Sequence, residues 1–340
     1  MTKRPATLKD VAAAAGVSTA TVSMILNRRY QFKPEVEARV REAIVSLNYR
    51  QNPGARSMAT GLFGSIGLVV LDIRNPHFTN IVHGASIKAQ AYGYNLIVVD
   101  LKEDISHAAQ TVDDLARRVD GLILSLRLPD EARDLPQKLG KPAVLFGQTL
   151  QGHFEGIHTP SIRIQGREAA MLLGRHVLET GRRRIMYVGY ARSIWNADRI
   201  GALRDVAGDA EVMEMTVDTQ TMEAGEAIAA SIVYGPHKID AIVCYNDVIA
   251  IGLLHGLCDL GVRVPDDIAI AGFDNIPVSR YVTPSLTTVD MRSEDLGGCS
   301  LERLHRAIDS GDHAPTVELL EPRLMVRAST QGAGRRIVGG

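Results

Sequence analysis

The chain has 340 residues, a formal net charge of −1 and 45% hydrophobic residues, so it is too long for one core and predicts two or three domains. It has no apolar run of about eighteen residues that could span a bilayer, and its N-terminus lacks the apolar core of a signal peptide. We therefore expect a cytoplasmic protein without a membrane anchor. Its three cysteines are odd in number and widely spaced, which predicts buried thiols instead of disulfides or a metal site.

Two short helices are predicted near the N-terminus. The apolar residues of segment 8–15 recur at helical spacing, and Thr7 with Asp10 fits a capping box at its start. Gly16 would end this helix, because glycine accepts the positive φ of a helix exit. Ser18 would cap a second helix, whose inward-facing side chains are Val22, Ile25 and Leu26. Two helices joined by a short turn with a glycine form a helix-turn-helix.

The opposite face of the second helix carries small or flexible uncharged side chains. They are Thr19, Ala20, Ser23 and Met24. Such a face can lie close in the major groove of DNA, where Ala20 and Met24 would contact thymine methyl groups and the hydroxyls would reach bases or phosphates. The alternative is an ordinary helical hairpin whose outer face is only hydrated. The segment that follows the hairpin favours the DNA-binding interpretation.

A third helix and a family-like segment come next. Pro34 suits the first position of a helix. The apolar repeat of this helix consists of Val36, Val40, Ala43 and Leu47. The segment 7–61 contains an Ala-Gly-Val-Ser turn, Thr-Val-Ser, Leu-Asn-Tyr and Ala-Arg-Ser-Met. With these motifs it resembles the DNA-binding headpiece and hinge of the LacI/GalR family, and the similarity extends over nearly the whole chain.

Charge is unevenly distributed in a way that agrees with DNA binding. Residues 1–60 hold ten Lys/Arg against four Asp/Glu, a net +6, so the remainder carries −7. A basic head on an acidic body is typical of nucleic-acid binding through phosphate contacts. The residues expected to contact DNA are Thr7, Thr19, Ala20, Thr21, Ser23, Met24, Asn27, Arg28, Lys33, Tyr49, Asn52, Ala55, Arg56 and Met58.

The segment 51–62 is predicted to be a linker. Pro53, Gly54 and Gly61 disfavour a stable isolated helix. The family resemblance implies a hinge helix that forms on DNA and enters the minor groove, with Met58 as the apolar wedge between bases. A plain flexible tether is the alternative.

Beyond the hinge the pattern changes to alternating strands and helices. The predicted strands are 65–71, 96–99, 121–124, 143–146, 184–188, 212–215, 241–244 and 286–289, with a closing run 318–326. The predicted helices are 78–92, 108–117, 199–206, 224–232 and 248–260. This alternation implies parallel sheets with helices on both faces. A similar strand entry, with Asp120 in one half and Asp240 in the other, predicts two similar halves.

The domain organisation follows from this alternation and from the resemblance. The headpiece would occupy residues 1–50 and the hinge 51–62. Two doubly wound, parallel-sheet α/β subdomains of the periplasmic-binding-protein type would follow. The first would comprise residues 63–161 with about 290–322, and the second 162–289 with about 323–332. Ligands bind such sheets in a cleft at the carboxyl ends of the strands.

Family-like motifs in the body indicate an effector pocket. They are Asp-Ile-Arg-Asn-Pro-His-Phe at 72–78, Asp-Arg-Ile-Gly at 198–201, Tyr-Asn-Asp at 245–247 and the run 264–275. The candidate pocket residues are His77, Phe78, Trp195, Arg199, Asn246 and Asp274. A guanidinium fork, a carboxylate and an amide suit a hydroxyl-rich ligand, and the two larger aromatic rings could stack on a sugar face. Structural roles are the alternatives: a cap for Asp274, a surface ion pair for Arg199 and a core position for Trp195.

These features predict a sequence-specific DNA-binding regulator, a repressor, whose operator affinity is controlled by a small sugar-like effector. The expected partners are a pseudo-palindromic double-stranded DNA operator, the effector and a second copy of the chain, with no cofactor or metal. The alternatives are an α/β enzyme and a solute-binding protein. The sequence has no Gly-x-Gly-x-x-Gly turn at a helix start, no Gly-Lys-Ser/Thr and no Gly-x-Ser-x-Gly, which argues against common enzyme classes.

Overall fold

The structure, a computed structural model, describes residues 6–26, 30, 32–49, 62–150, 153–154 and 156–331. The chain divides into two units, Met1–Phe63 and Gly64–Gly340, which we call the headpiece and the body.

The headpiece contains three helices around a small apolar core. They are α1 (Leu8–Ala15), α2 (Thr19–Leu26) and α3 (Pro34–Ser46). The capping box is present: the Thr7 backbone N–H donates to Asp10 Oδ2 at 2.7 Å, and the Asp10 N–H donates to Thr7 Oγ1 at 3.4 Å. Gly16 ends α1 with φ 63°, in the left-handed region. Val11, Val22 and Val40 are fully buried between the helices. Leu47, which was expected to continue the apolar face, follows α3 at its C-cap and is 37% exposed.

The body has two lobes, each built on one six-stranded sheet. Lobe 1 has the strand order β11-β5-β4-β3-β1-β2, with every pairing parallel. Its strands are β1 (Ser65–Val70), β2 (Asn95–Asp100), β3 (Gly121–Ser125), β4 (Ala143–Gln148), β5 (Ser161–Ile164) and β11 (Val317–Leu320). Its helices are α4 (Pro76–Tyr92), α5 (Ala108–Ala116), α6 (Asp130–Lys138) and α12 (Ser293–Ser310). The apolar strand segments β1 and β3 are almost entirely buried, as strands covered on both faces require.

Lobe 2 has the strand order β12-β10-β9-β8-β6-β7, parallel except for the antiparallel pair β10–β12. Its strands are β6 (Arg184–Tyr190), β7 (Glu211–Val217), β8 (Ala241–Cys244), β9 (Ala269–Phe273), β10 (Thr287–Asp290) and β12 (Arg323–Met325). Its helices are α7 (Gly166–Glu179), α8 (Asn196–Ala207), α9 (Met222–Ala227), α10 (Ala229–Val233) and α11 (Asp247–Asp259), with a 3-10 turn at Pro277–Arg280. Two apolar clusters cover the two faces of this sheet. The predicted α/β class with parallel sheets is confirmed.

The described chain crosses between the lobes three times. It leaves sheet 1 after β5, returns from β10 to α12, and passes from β11 to β12. The expected boundary at residue 161 coincides with the first residue of β5, so the first crossing comes after Ile164. The closing run is divided between the two sheets, because β11 pairs with β5 and β12 pairs with β10.

Several elements differ from the sequence prediction for local reasons. The helix predicted at 224–232 consists of α9 and α10, separated at Ile228. Helix α6 was not predicted, because Pro136 lies within it. Helix α12 was not predicted either, and Gly297 with Gly298 weakens its helical pattern. The predicted burial of all three thiols is wrong for Cys258, which is exposed on α11, and Cys299 is only partly buried.

The repeated aspartate has the same structural role in both lobes. Asp120 Oδ2 accepts hydrogen bonds from the backbone N–H of Gly64 at 2.7 Å and of Ser65 at 3.2 Å. Asp240 Oδ1 accepts from the N–H of Arg183 at 3.1 Å and of Arg184 at 2.9 Å. Each carboxylate thus accepts hydrogen bonds from backbone N–H groups at the start of the first strand of its lobe. This shared role explains why an aspartate occurs at the equivalent strand entry in both halves of the sequence. In the described residues, no helix is both long and apolar enough to cross a membrane.

Candidate functional site

The outer face of α2 is the first candidate site. Thr19, Ala20 and Met24 are exposed on it, with Met24 at 42% exposure, and Ser23 is half-buried. Thr21 is half-buried because it belongs to the helix start: its N–H donates to Ser18 Oγ at 3.0 Å, and the two hydroxyls lie 2.9 Å apart. The face is therefore free of charge and of large rigid side chains, as close approach to base edges requires.

The other predicted DNA contacts in the headpiece differ in how exposed they are and in whether their polar groups are already hydrogen-bonded. The Thr7 hydroxyl donates to Asp10 Oδ2 at 2.7 Å, so it is already used within the α1 cap. Lys33 is exposed at the start of α3. Tyr49 is half-buried against the headpiece core, and burial raises the pKa of its hydroxyl. Six predicted contacts lie outside the described residues: Asn27, Arg28, Asn52, Ala55, Arg56 and Met58.

The second candidate site is the cleft between the lobes, at the carboxyl ends of both sets of strands. It contains a cavity of about 40 Å³, which holds a few waters at most and is far smaller than the roughly 300 Å³ of a typical ligand pocket. The cavity is lined by Asn75, His77, Phe78, Ser125, Arg127, Phe146, Gly147, Gln148, Trp195, Arg199, Gln220, Tyr245, Asp274 and Leu296.

Arg199 is buried at the centre of the cleft. It extends from the first turn of α8 and is 2% exposed. Its guanidinium carbon lies 4.4 Å from the ring centroid of Phe273 and 4.5 Å from that of Tyr245. One terminal nitrogen donates to the Tyr245 carbonyl, and the other donates to Gln148 Oε1 of lobe 1 at 3.2 Å. The expected alternative of a surface ion pair is wrong for this arginine, because it lies inside the cleft.

Asp274 faces His77 across the two lobes. Asp274 follows β9 with φ 101°, a conformation that L residues rarely adopt. Its Oδ1 lies 3.5 Å from His77 Nδ1, and the same nitrogen shares a hydrogen bond of 2.8 Å with Ser293 Oγ. Burial lowers the pKa of His77, and the nearby Arg199 and Arg127 act in the same direction against the opposing effect of Asp274. The imidazole is therefore neutral at neutral pH.

Phe78 and Trp195 both line the cavity, each 5% exposed.

Asn246 does not line the cavity, in contrast to the expectation from its motif. Its Oδ1 accepts from the Ile249 N–H at 3.0 Å as the N-cap of α11, and its Nδ2 donates to Gln220 Oε1 at 2.9 Å. Asn246 therefore lies behind Gln220, which lines the cavity, and its amide oxygen is already occupied by the helix cap.

A carboxylate and a guanidinium at the cleft were not predicted. Glu103 follows β2, and Arg127 follows β3. Arg127 donates through both terminal nitrogens to the two Glu103 oxygens, at 3.0 and 2.7 Å. From lobe 2, the Tyr190 hydroxyl and Gln220 Nε2 each donate to Glu103 at 3.3 Å. No family motif marks these positions, but polar residues directly after strand ends are the signal that could have found them.

The structure also brings together three exposed side chains outside the cleft. Glu226 of α9 lies beside His255 and Asp259 of α11, with their potential ligand atoms within 4.8 Å of one another. Sequence spacing could not reveal this group, since Glu226 is on a different helix from the other two. The site lies at the surface of lobe 2 and takes no part in the cleft.

Comparison with known proteins identifies relatives along nearly the whole chain. Residues 7–52 match the family described as bacterial regulatory proteins, lacI family, and residues 175–330 match a periplasmic binding protein-like domain. The chain is 31% identical over 333 residues to the ribose operon repressor of Halalkalibacterium halodurans, with 96% of this chain and 97% of that protein covered. It is also 31% identical over 334 residues to catabolite control protein A of Staphylococcus xylosus, with 96% and 99% covered.

The fold is similar to that of a solved repressor. The crystal structure of the lac repressor dimer bound to operator and the anti-inducer ONPF matches with a TM-score of 0.85 at 23% identity, covering 97% of this chain and all of that one. The predicted headpiece followed by two lobes of the periplasmic-binding-protein type is therefore confirmed, whereas the predicted hinge helix lies outside the described residues.

Proposed function

This chain belongs to the lacI family of bacterial regulatory proteins, and we propose that it represses transcription by binding an operator under the control of a small ligand. The ligand binds between the two lobes of the body and is a sugar or related polyol. The relatives at 31% identity are named ribose operon repressor and catabolite control protein A, and neither name is that of an enzyme. Because its proposed partner is DNA, we infer that the protein acts in the cytoplasm.

The headpiece supports the DNA-binding part of this proposal. Helix α2 presents a contiguous exposed face without charge, while the head as a whole carries a net +6. The α2 face would read base edges in the major groove, and the surrounding cations, Lys33 among them, would bind phosphates without sequence preference. Because one helix-turn-helix covers one half-site, we infer that the protein binds a pseudo-palindrome as a homodimer.

The single observation that carries the ligand-binding part is that the buried Arg199 and Asp274 line the same cavity between the two lobes. The cavity is only about 40 Å³, so a sugar must replace the contacts that now join the lobes, such as Arg199 to Gln148. A ligand with different affinities for the closed and the opened cleft shifts the equilibrium between them. Arg199 and Asp274 offer a donor fork and an acceptor for vicinal hydroxyls.

Two screens on the purified full-length protein test the proposal. Selection from a random DNA library should recover a pseudo-palindromic site, and a thermal-shift panel of sugars, polyols and nucleosides should raise the melting temperature with at least one compound. Arg199→Ala and Asp274→Ala should each abolish the shift. Arg175→Ala, which removes a surface arginine paired with Glu168 on α7, should keep it. Failure to recover any DNA sequence preference would overturn the regulator assignment.

A further inference from the structure

Two buried N–H groups in the cleft have no hydrogen-bond partner. Among the described residues, five buried side-chain polar atoms are unpaired, and two of these, Arg199 Nε and Trp195 Nε1, belong to residues that line the cavity. Arg199 is 98% buried and Trp195 is 95% buried, since their exposed fractions are 2% and 5%. An unpaired buried donor costs free energy, so a ligand at this site is expected to supply acceptor atoms.

A carboxylate of the protein already occupies the edge of the cleft. The Glu103 side chain is 16% exposed and that of Arg127 is 12% exposed, and the two form a planar, two-bonded pair. The Arg127 guanidinium carbon also lies 6.0 Å from the ring centroids of both Tyr190 and Trp195, so Arg127 and the indole with the unpaired N–H are neighbours in the cleft. Arg127 thus already holds a carboxylate through two parallel hydrogen bonds, an arrangement that a guanidinium fork also offers to a phosphate.

Glu103 also connects the lobes. It comes from lobe 1, and it accepts hydrogen bonds from Tyr190 and Gln220 of lobe 2 at 3.3 Å each. Lys102 and Glu103 have φ values of 54° and 60°, left-handed conformations that are uncommon for residues other than glycine. The exposed segment after β2 therefore holds this carboxylate in the cleft against a local conformational cost.

We propose that the effector is a sugar acid, a polyhydroxylated carboxylate, and that its carboxylate replaces Glu103 on Arg127. This inference rests on the proposed function and specifies the ligand of that same cleft. The acid's remaining oxygens accept from Trp195 Nε1 and Arg199 Nε, while its hydroxyls donate to Asp274. The exchange moves the Glu103 side chain to solvent and removes its two contacts with lobe 2.

The charge balance of the cleft favours this exchange over binding of a neutral sugar. The charged groups are the cations Arg127 and Arg199 and the anions Glu103 and Asp274, with His77 neutral. An incoming carboxylate that displaces Glu103 preserves this balance. A neutral sugar that displaced Glu103 would leave the buried Arg127 unpaired, which is strongly unfavourable.

Isothermal titration calorimetry with matched ligands tests the proposal on the full-length protein. The neutral ligands are glucose and galactose, their acids are gluconate, glucuronate, galactonate and galacturonate, and glucose 6-phosphate is the tetrahedral anion. The wild type should bind at least one acid tenfold or more tighter than every neutral sugar and the phosphate. Arg127→Gln should weaken that acid at least tenfold, and Glu103→Gln should tighten it, because the internal competitor then holds Arg127 less strongly.

Two controls separate charge from folding. Arg117→Gln and Asp113→Asn make the same charge changes in an ion pair on the surface of α5, and both should leave the affinity for the acid unchanged. Because Arg127→Gln leaves Glu103 buried without its partner, the double variant Glu103→Gln/Arg127→Gln is measured too. The double variant should have the same melting temperature as the wild type and still bind the acid at least tenfold more weakly.

The remaining outcomes are distinct. If no acid binds, or if the double variant binds the acid as tightly as the wild type, the sugar-acid inference is wrong. If a neutral sugar binds best and requires Arg199, the inference is also wrong but the proposed function stands. Tighter binding of glucose 6-phosphate would overturn the carboxylate assignment. If no ligand that binds depends on Arg199, the proposed function itself fails.

Discussion

Met24 is the side chain through which the headpiece can be tested at the level of one residue. It is 42% exposed on the α2 face proposed to read bases. Met24→Arg should shift the preferred DNA sequence toward guanine at the contacted position, because a bidentate arginine favours guanine over other bases by about 1–3 kcal/mol. Sequencing of DNA selected by wild type and variant measures this change.

Val45→Arg is the matched control for this substitution. It adds the same charge on α3, at a side chain that is 79% exposed, and should strengthen binding to all sequences without changing the preferred one. An unchanged preference for Met24→Arg would show that α2 does not read the operator.

Asp247 is a second residue with a measurable consequence. It is buried at the start of α11 and accepts from Ser279 Oγ and Thr288 Oγ1, each at 2.6 Å, and from the Ile276 N–H at 3.0 Å. Burial raises the pKa of its carboxyl to about 8. The unfolded value is near 4, so between about pH 4 and 8 the folded state binds more protons than the unfolded state. The contribution of Asp247 to the free energy of unfolding therefore falls as pH rises through this window.

Urea unfolding of the wild type and of Asp247→Asn at pH 5 to 8 measures that contribution. The difference in unfolding free energy, wild type minus variant, should decrease steadily with pH, since asparagine cannot titrate. Asp113→Asn on the surface of α5 serves as a control for the loss of one carboxylate. A difference that stays constant across the range would contradict the raised pKa.

At the residue scale, the sequence located only part of the cleft. Arg199 and Asp274 could be predicted because they belong to motifs that a family shares. Asn246 was predicted to line the cavity but caps α11 behind it, and a sequence motif does not show that the amide oxygen is occupied by a helix cap. Glu103 and Arg127 meet only because β2 and β3 end at the same edge of the sheet, and this pairing depends on tertiary structure.

At the scale of elements, most of the strands could be predicted, although the buried strands β5 and β9 were missed. The predicted strand at 241–244 has the same bounds as β8, and the other predicted strands differ from the structure by one to a few residues. Helices with interior proline or paired glycines were missed, because local propensity there opposes the helix that packing stabilises. The duplicated aspartate could be recognised as a repeat, but its bonds to strand N–H groups required the structure.

The contact between α9 and α11 gives a test of packing at this scale. A Cβ on Gly252 of α11 would lie 1.8 Å from the Met222 carbonyl oxygen, so the helices must separate to accept it. Gly252→Ala should lower the free energy of unfolding by about 1–3 kcal/mol. A Cβ on Gly201 of α8 would have Arg167 Nη1, at 3.8 Å, as its nearest neighbour. Gly201→Ala should therefore raise the free energy of unfolding by roughly 0.5–1 kcal/mol.

Urea titrations of both glycine variants beside the wild type provide the comparison. The two changes are chemically identical and both lie inside helices, so helix propensity alone predicts stabilisation at each. Opposite signs would demonstrate that the close approach of α9 and α11 requires Gly252. Stabilisation by Gly252→Ala would contradict the packing described for these helices.

At the scale of the whole molecule, the proposed function requires a dimer. One headpiece covers one half-site, and specific affinity comes from two headpieces on a pseudo-palindrome. Light scattering at micromolar concentration should therefore give twice the mass of the chain. A monomer at that concentration would count against binding of a palindromic operator.

In the proposed function, one conformational equilibrium connects the DNA-binding face of α2 with the cleft. The cleft is closed by contacts such as Arg199 to Gln148 and Tyr190 to Glu103, and a ligand that replaces them changes how the lobes lie relative to each other. By linkage, a ligand that alters operator affinity must itself be bound with altered affinity when operator is present. The proposed function therefore requires coupling between ligand binding in the cleft and operator binding by the headpiece, and not only binding at each site.

That claim is tested most directly by the affinity for the selected operator, measured by fluorescence anisotropy with and without the ligand found in the thermal-shift screen. In the wild type, saturating ligand should change the dissociation constant several-fold or more, by about 1–3 kcal/mol of coupling. Arg199→Ala should show no such change, and for an inducer its ligand-free affinity should equal that of the wild type. A ligand that binds the wild type in the cleft but leaves operator affinity unaltered would contradict the account.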